Sequence, residues 1–181
     1  MIAAVDVPTL EMLVRDWIGD TRKSDAYDGG ANDHERRMID LAHTIAPALS
    51  GVLHRGQGVP DDVVDDLIRT GSAMLPASMR LICSWTTSIE VARAFALDAA
   101  EEGFSAIVMS LPVGILDPLI DVTTLDMDTS EREVIVRNGP LHLTMDHVSA
   151  MWRYDDERGV SIPYEAMYDH TECSPQGRHL P

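Results

Sequence analysis

Two glutamates two positions apart, Glu131 and Glu133, open a run that continues Val134-Ile135-Val136-Arg137-Asn138-Gly139. A β-branched run closed by Asn-Gly reads as a strand entering a tight turn. Residues i and i+2 of a strand share a face, so both carboxylates are expected to project together, with Arg132 opposite. Carboxylates that close repel each other, and burial adds desolvation, unless a cation sits between them. A substrate carrying positive charge is one such cation. The same pattern also describes an edge strand whose charged start is solvated and guards against aggregation.

Two further stretches carry groups suited to chemistry. Val52-Leu53-His54-Arg55-Gly56-Gln57-Gly58 reads as a short strand that delivers an arginine beside glycines. Arginine offers a planar fork that matches phosphate, and a flanking glycine lets backbone approach a ligand closely. An ordinary strand end with a surface arginine has the same sequence. The second stretch is Ser84-Trp85-Thr86-Thr87-Ser88, after a short strand over 80–83. Ser88 is placed to cap a helix whose buried face is Val91, Ala92, Phe95 and Ala99. Hydroxyls at such a strand-to-helix junction can also hold a neighbouring carboxylate and a sugar hydroxyl.

The elements that must position these groups follow from periodicity. Thr9 is expected to cap a first helix, with Leu10, Leu13, Val14 and Trp17 at helical spacing and Gly19 ending it. Residues 20–32 read as a loop. A second helix is expected from Asn32, with Glu35 as its capping-box partner. Its apolar stripe is Met38, Leu41, Ala42, Ile45 and Leu49, and it stops between Pro47 and Gly51. Residues 60–70 form an acidic helix with Val63, Val64, Leu67 and Ile68 inward, closed at Gly71. Strands are expected over 105–111 and 119–122. A polar loop over 123–130 leads into Glu131. Asn138-Gly139-Pro140 should turn the chain back into a returning strand that begins at Leu141. From Tyr154 the sequence reads as an acidic tail that either wraps the domain or is loosely ordered. No repeat or low-complexity tract is present.

Composition bounds the rest. The 181 residues fit one domain, and a 45% hydrophobic content fits a globular chain. A formal net charge of −16 opposes binding to phosphate backbones, which relies on Lys and Arg releasing counterions, and favours a basic partner. The same acidity also serves solubility. Cys83 and Cys173 make neither a CxxC pair nor a disulfide framework. No signal-like start and no long apolar run are visible, so a cytoplasmic protein away from membranes is expected. His170, Cys173 and His179 lack a metal-ligand spacing, and no metal is expected.

The order Arg-Gly, Thr-Thr-Ser before a helix with Phe95, then Glu-x-Glu before an aliphatic strand and Gly139 resembles the mono-ADP-ribosyltransferases of the Arg–Ser–Glu class. The resemblance spans about residues 38–143. The chain departs from the family pattern at His54, where an aromatic is usual, and at Thr86, where a serine is usual. The loop before Glu131 lacks the exposed aromatic that many relatives use for target recognition.

The resemblance implies an α+β fold of two small, mainly antiparallel sheets packed around an NAD cleft, with the N-terminal helices on one side. It implies a single domain over 1–181, with a core over about 38–153 and a tail over 154–181. Glu133 matches the residue that bonds the ribose 2′-hydroxyl, and Glu131 the one that positions and deprotonates the acceptor, of a kind that marks arginine-modifying relatives. Arg55 matches the phosphate-binding residue, and Gly56 the backbone that holds the nicotinamide carboxamide. Thr86 is expected to orient Glu133, and Ser88 to support the turn. His54, Thr87 and Phe95 complete the expected NAD-binding set. The implied activity moves ADP-ribose from NAD to an arginine of a target protein, such as a host RNA polymerase or a defence protein, with release of nicotinamide. Phage effectors and toxin domains are the settings this fits. NAD hydrolysis, with water as acceptor, is the second reading. A catalytically idle relative that binds a basic protein is the third.

Overall fold

The computed structural model describes residues 7–21, 31–42, 49–75, 80–127 and 130–164. Helix α1 spans Val7–Thr21, and helix α2 spans Ala31–Ala42. Leu10, Leu13, Val14 and Trp17 of α1 and Met38, Ile39 and Ala42 of α2 are buried in one cluster, as apolar residues at this spacing require. The first helix begins before Thr9 and passes through Gly19, which does not adopt the left-handed conformation that would stop it. The expected positions Ile45 and Pro47 lie outside the described residues, as does the expected loop over 20–32 except at its ends, where 20–21 belong to α1 and 31–32 to α2.

Among the described residues nine strands follow: β1 Val52–Pro60, β2 Ser72–Leu75, β3 Ile82–Thr86, β4 Phe104–Pro112, β5 Pro118–Asp121, β6 Glu133–Arg137, β7 Leu141–Thr144, β8 Val148–Asp155 and β9 Val160–Pro163. Two more helices, α3 Asp61–Thr70 and α4 Ile89–Asp98, lie between them. Gly71, with φ of 81°, closes α3 by returning its N–H to the Leu67 carbonyl at 2.8 Å. The architecture is α+β, and every strand pairing is antiparallel.

Seven strands form one sheet in the order β5-β6-β3-β1-β4-β8-β9, and β2 and β7 form a second. The large sheet has a weak seam. β1 meets β4 along nine paired positions, but meets β3 only at His54 opposite Thr86. The three-stranded part β5-β6-β3 carries the α1–α2 layer, whose cluster includes Ile82, Leu119, Ile120 and Ile135. Helix α4 packs on β1 and β4, where Ala92 and Ala96 meet Ala106 and Val108.

Two expectations about the C-terminal half change. β7 pairs with β2 rather than returning along β6. Gly139 lacks the positive φ that a tight hairpin turn needs, and Asn138 is held against the start of β3. Its backbone N–H reaches the Leu81 carbonyl at 2.8 Å and its side-chain amide the Arg80 carbonyl at 3.0 Å. Residues 154–163 are no loose tail: β8 runs through Asp155 and turns into β9. Gly159, with φ of 63°, and the Asp155 carboxylate, which accepts the Glu157 N–H at 3.1 Å, build that turn. Among the described residues no helix is long and apolar enough to cross a membrane.

Candidate functional site

Sheet register makes the site. His54 on β1 stands opposite Thr86 on β3, and Thr86 stands opposite Glu133 on β6. Paired residues of an antiparallel sheet point to the same face, so these three side chains form one row across the seam. A cavity of about 370 Å³ opens there. β1 contributes His54, Arg55 and Gly56, β3 contributes Ile82 to Thr86, and Arg80, Glu131 and Glu133 also line it. Phe95 of α4 and Trp17 of α1 close the sides. That volume is in the usual range for small-molecule pockets, about 300–1,000 Å³.

Glu133 is almost fully buried, at 5% exposure, and begins β6. Glu131 reaches the same cavity by another route than strand alternation. Arg132 has φ of 49°, a left-handed conformation rare outside glycine, so the chain turns between the two glutamates. Strand geometry therefore starts at Glu133, and the i, i+2 argument does not hold for this pair. Both glutamates nevertheless line one cavity.

The Thr-Thr-Ser triplet holds that turn. The Thr86 hydroxyl donates to the Glu131 carbonyl at 2.6 Å and accepts the Ser88 N–H at 3.0 Å. The Thr87 N–H donates to the Arg132 carbonyl at 3.2 Å. The expected partner of Thr86 was the Glu133 carboxylate, but a hydroxyl has a single proton to donate, and here the Glu131 carbonyl receives it. Thr86 lines the cavity, whereas Thr87 and Ser88 act behind it. Ser88 caps α4 as expected, accepting the Val91 N–H at 3.4 Å. Phe95, expected on the buried face of α4, is 49% exposed at the cavity, and Ala96 takes the buried position.

Arg55 spans the seam. Its Nε donates to the Gln57 side chain at 2.9 Å and its Nη1 to the Ser84 carbonyl at 3.1 Å. The guanidinium borders both this cavity and a smaller one of about 160 Å³, which also shares Cys83 and Trp85. Gly56 is required by packing: a Cβ there would stand 1.8 Å from the Ala92 carbonyl oxygen of α4. The close approach expected of a ligand is made by a helix, and the Gly56 backbone still borders the cavity.

His54 is held by a hydrogen bond between Nδ1 and the Ser110 hydroxyl at 2.7 Å. Burial lowers its pKa below the ordinary value of 6.5, because desolvation disfavours the charged ring.

A residue beside the site also has a different role from its sequence reading. Glu35, expected as a capping-box partner, is fully buried. Its carboxylate accepts the Trp17 indole N–H at 3.2 Å and the Leu81 backbone N–H at 2.8 Å. It thereby latches the helical layer to the entrance of β3, and Trp17 lines the cavity. The signal was in the sequence: Glu35, Met38, Ile39 and Ala42 share one helical stripe.

No family model matches the chain, and neither the curated proteins nor the solved structures compared with it show a match. His170, Cys173 and His179 lie outside the described residues. Among those described, no group of three or more His, Cys, Asp or Glu side chains converges on a metal position.

Proposed function

We propose that the protein is an ADP-ribosyltransferase that moves ADP-ribose from NAD to the guanidinium of a protein arginine and releases nicotinamide. One observation carries this reading. Three stretches far apart in sequence, around Arg55, Thr86 and Glu131–Glu133, deliver their polar groups to a single cavity across one sheet seam.

The residues present fit NAD. Arg55 supplies a phosphate-matching fork, the aromatic side chains of Trp17 and Phe95 supply flat apolar walls, and two glutamates line the same cavity. NAD supplies a sugar carbon bonded to a good leaving group. Positive charge develops on that sugar as the glycosidic bond breaks, as in other glycoside cleavages. Glu133, buried and fixed at the start of a strand, stabilises that charge without reorganising. Glu131, on a turn clamped by Thr86 and Thr87, holds the incoming guanidinium and takes its proton. An arginine is protonated at any working pH, so its attack needs such a base.

The test separates the two carboxylates. Nicotinamide release is measured beside transfer of labelled ADP-ribose to a small guanidine and to protein. Glu133→Gln should lower both by on the order of 10²–10³ with the fold intact. Glu131→Gln should lose arginine transfer and retain hydrolysis. Near-parent turnover by Glu133→Gln would sink the reading. Equal arginine labelling by Glu131→Gln would move the acceptor away from arginine.

A further inference from the structure

The smaller cavity at the seam lies on the other side of the sheet. Gly56 and Gly58 of β1 face α4, where added Cβ atoms would meet the Ala92 and Ala99 carbonyl oxygens. Arg55 and Gln57 alternate away from that helix. They pair with Met109 and Ile107 of β4, which belong to the core cluster that also holds Leu75 and Leu143 of the two-stranded sheet. Arg55 Nη1 still reaches the Ser84 carbonyl, so the guanidinium stands at the seam with the smaller cavity on its own side.

The charge of this cavity runs against the charge of the chain. The sequence holds 30 Asp and Glu against 14 Lys and Arg, yet among the described residues no Asp or Glu lines these walls. Two arginines do, Arg55 and Arg137, and Arg137 is answered by Asp117 at 2.8 Å. Arg55 is half-buried and pairs with no carboxylate among the described residues. Its Nε and Nη1 go to two neutral acceptors, the Gln57 side chain and the Ser84 carbonyl, and Nη2 makes no hydrogen bond among the described residues. A half-buried cation held only by neutral groups draws an anion. The other walls are apolar, with Leu75, Trp85, Met109, Val136 and Leu141 among them. A bare phosphate would leave those walls uncovered. At about 160 Å³ the cavity is below the usual range for drug-sized ligands, about 300–1,000 Å³, so it suits one ring or one branched chain rather than a dinucleotide.

We propose that the smaller cavity is a second ligand site, for a small organic monocarboxylate with a compact apolar body, whose carboxylate takes the open edge of the Arg55 guanidinium. Arg55, Cys83 and Trp85 border both cavities. An occupant therefore engages the fork that the proposed reaction needs for the diphosphate of NAD, and acts as a brake on NAD binding. The site itself stands on the cavity alone; the brake rests on the function proposed above.

The probe is benzoate, with benzamide as the uncharged body and inorganic phosphate as the charge without a body. Met109 lines the smaller cavity and not the larger, so its 13C-methyl resonance reports occupancy. Benzoate should shift that resonance saturably. Both controls should bind about tenfold more weakly or worse, since a bond to a charged group and a buried ring are each worth about that factor. Arg55→Met should cost benzoate about tenfold or more for the same reason. Gly139 lines the cavity, its φ is not positive, and nothing lies within 4 Å of its Cβ position. Gly139→Leu should therefore fill the cavity at a parent-like Tm and remove benzoate binding. Leu141→Phe fills it from the two-stranded sheet and is the second variant. A Met109 resonance that benzoate leaves in place, a control that binds as well as benzoate, or benzoate affinity unchanged in both filled variants would overturn the site, whatever the protein's activity. In the nicotinamide-release assay, benzoate at ten times its Kd should raise KM for NAD about tenfold at constant kcat, by mass action on one shared group. Gly139→Leu should escape that rise. Benzoate that binds and leaves KM for NAD unchanged would overturn the brake.

Discussion

Arg55 has two roles that a single substitution can separate. Its guanidinium ties Gln57 and the Ser84 carbonyl together across the seam, and it borders the cavity. Arg55→Lys keeps the charge and loses the fork. A lost bond to a charged group is worth about 1.5–3 kcal/mol, so calorimetric affinity for NAD should fall roughly tenfold or more. Affinity equal to the parent would place Arg55 outside the ligand's reach. At this scale the sequence was most informative where residue type alone limits the chemistry. An arginine beside a glycine and two close glutamates each imply a short list of uses, and Arg55, Glu131 and Glu133 do share a cavity. It was least informative about hydrogen-bond partners. Thr86 was expected to hold a carboxylate and holds a backbone carbonyl, because its partner depends on the φ of 49° at Arg132, which no residue type announces.

Helix α4 and strand β1 are in closer contact than any side chain would allow. A Cβ at Gly56 would stand 1.8 Å from the Ala92 carbonyl oxygen and 2.6 Å from the Ala96 nitrogen, both backbone atoms that cannot swing aside. Gly56→Ala should therefore push α4 off the sheet. Overpacking of this kind costs about 1–3 kcal/mol, and the urea midpoint should fall accordingly at an unchanged slope. Gly139→Ala is the matching control, because nothing lies within 4 Å of its Cβ position and its φ is not positive. A parent-like midpoint for Gly56→Ala would mean that α4 sits further from β1. Elements of this size were legible where one pattern dominated. The stripes of α1 and α3, the Ser88 cap and the apolar β4 follow from periodicity and capping chemistry alone. Pairing between elements was not legible. The sequence of Asn138-Gly139-Pro140 suits a hairpin, yet two hydrogen bonds from Asn138 to the start of β3 send the chain to β2 instead. Glu35 is the same lesson on a helix. A glutamate near a helix start has two uses, and only the arrival of Trp17 and Leu81 beside it selects the buried one.

For the proposed reaction, the charge of the whole molecule acts on donor and acceptor in opposite senses. A formal net charge of −16 attracts a basic acceptor protein and repels the diphosphate of NAD. Added salt screens both effects, since the Debye length falls from about 10 Å at 0.1 M to about 3 Å at 1 M. For a protein acceptor rich in arginine, kcat/KM should therefore decrease as salt rises. KM for NAD in the hydrolysis reaction should stay level or decrease over the same range. A small neutral-bodied guanidine acceptor carries one charge and should show a much weaker salt dependence than the basic protein. The measurement is a pair of salt series on the same preparation, one following acceptor labelling at saturating NAD and one following nicotinamide release without acceptor. Opposite slopes would mean that the acidic surface steers the acceptor towards the cavity that Glu131 and Glu133 share. Parallel, flat slopes would sink the steering argument and leave the acidity as a solubility feature, while the assignment of the two carboxylates would still stand or fall on their own substitutions.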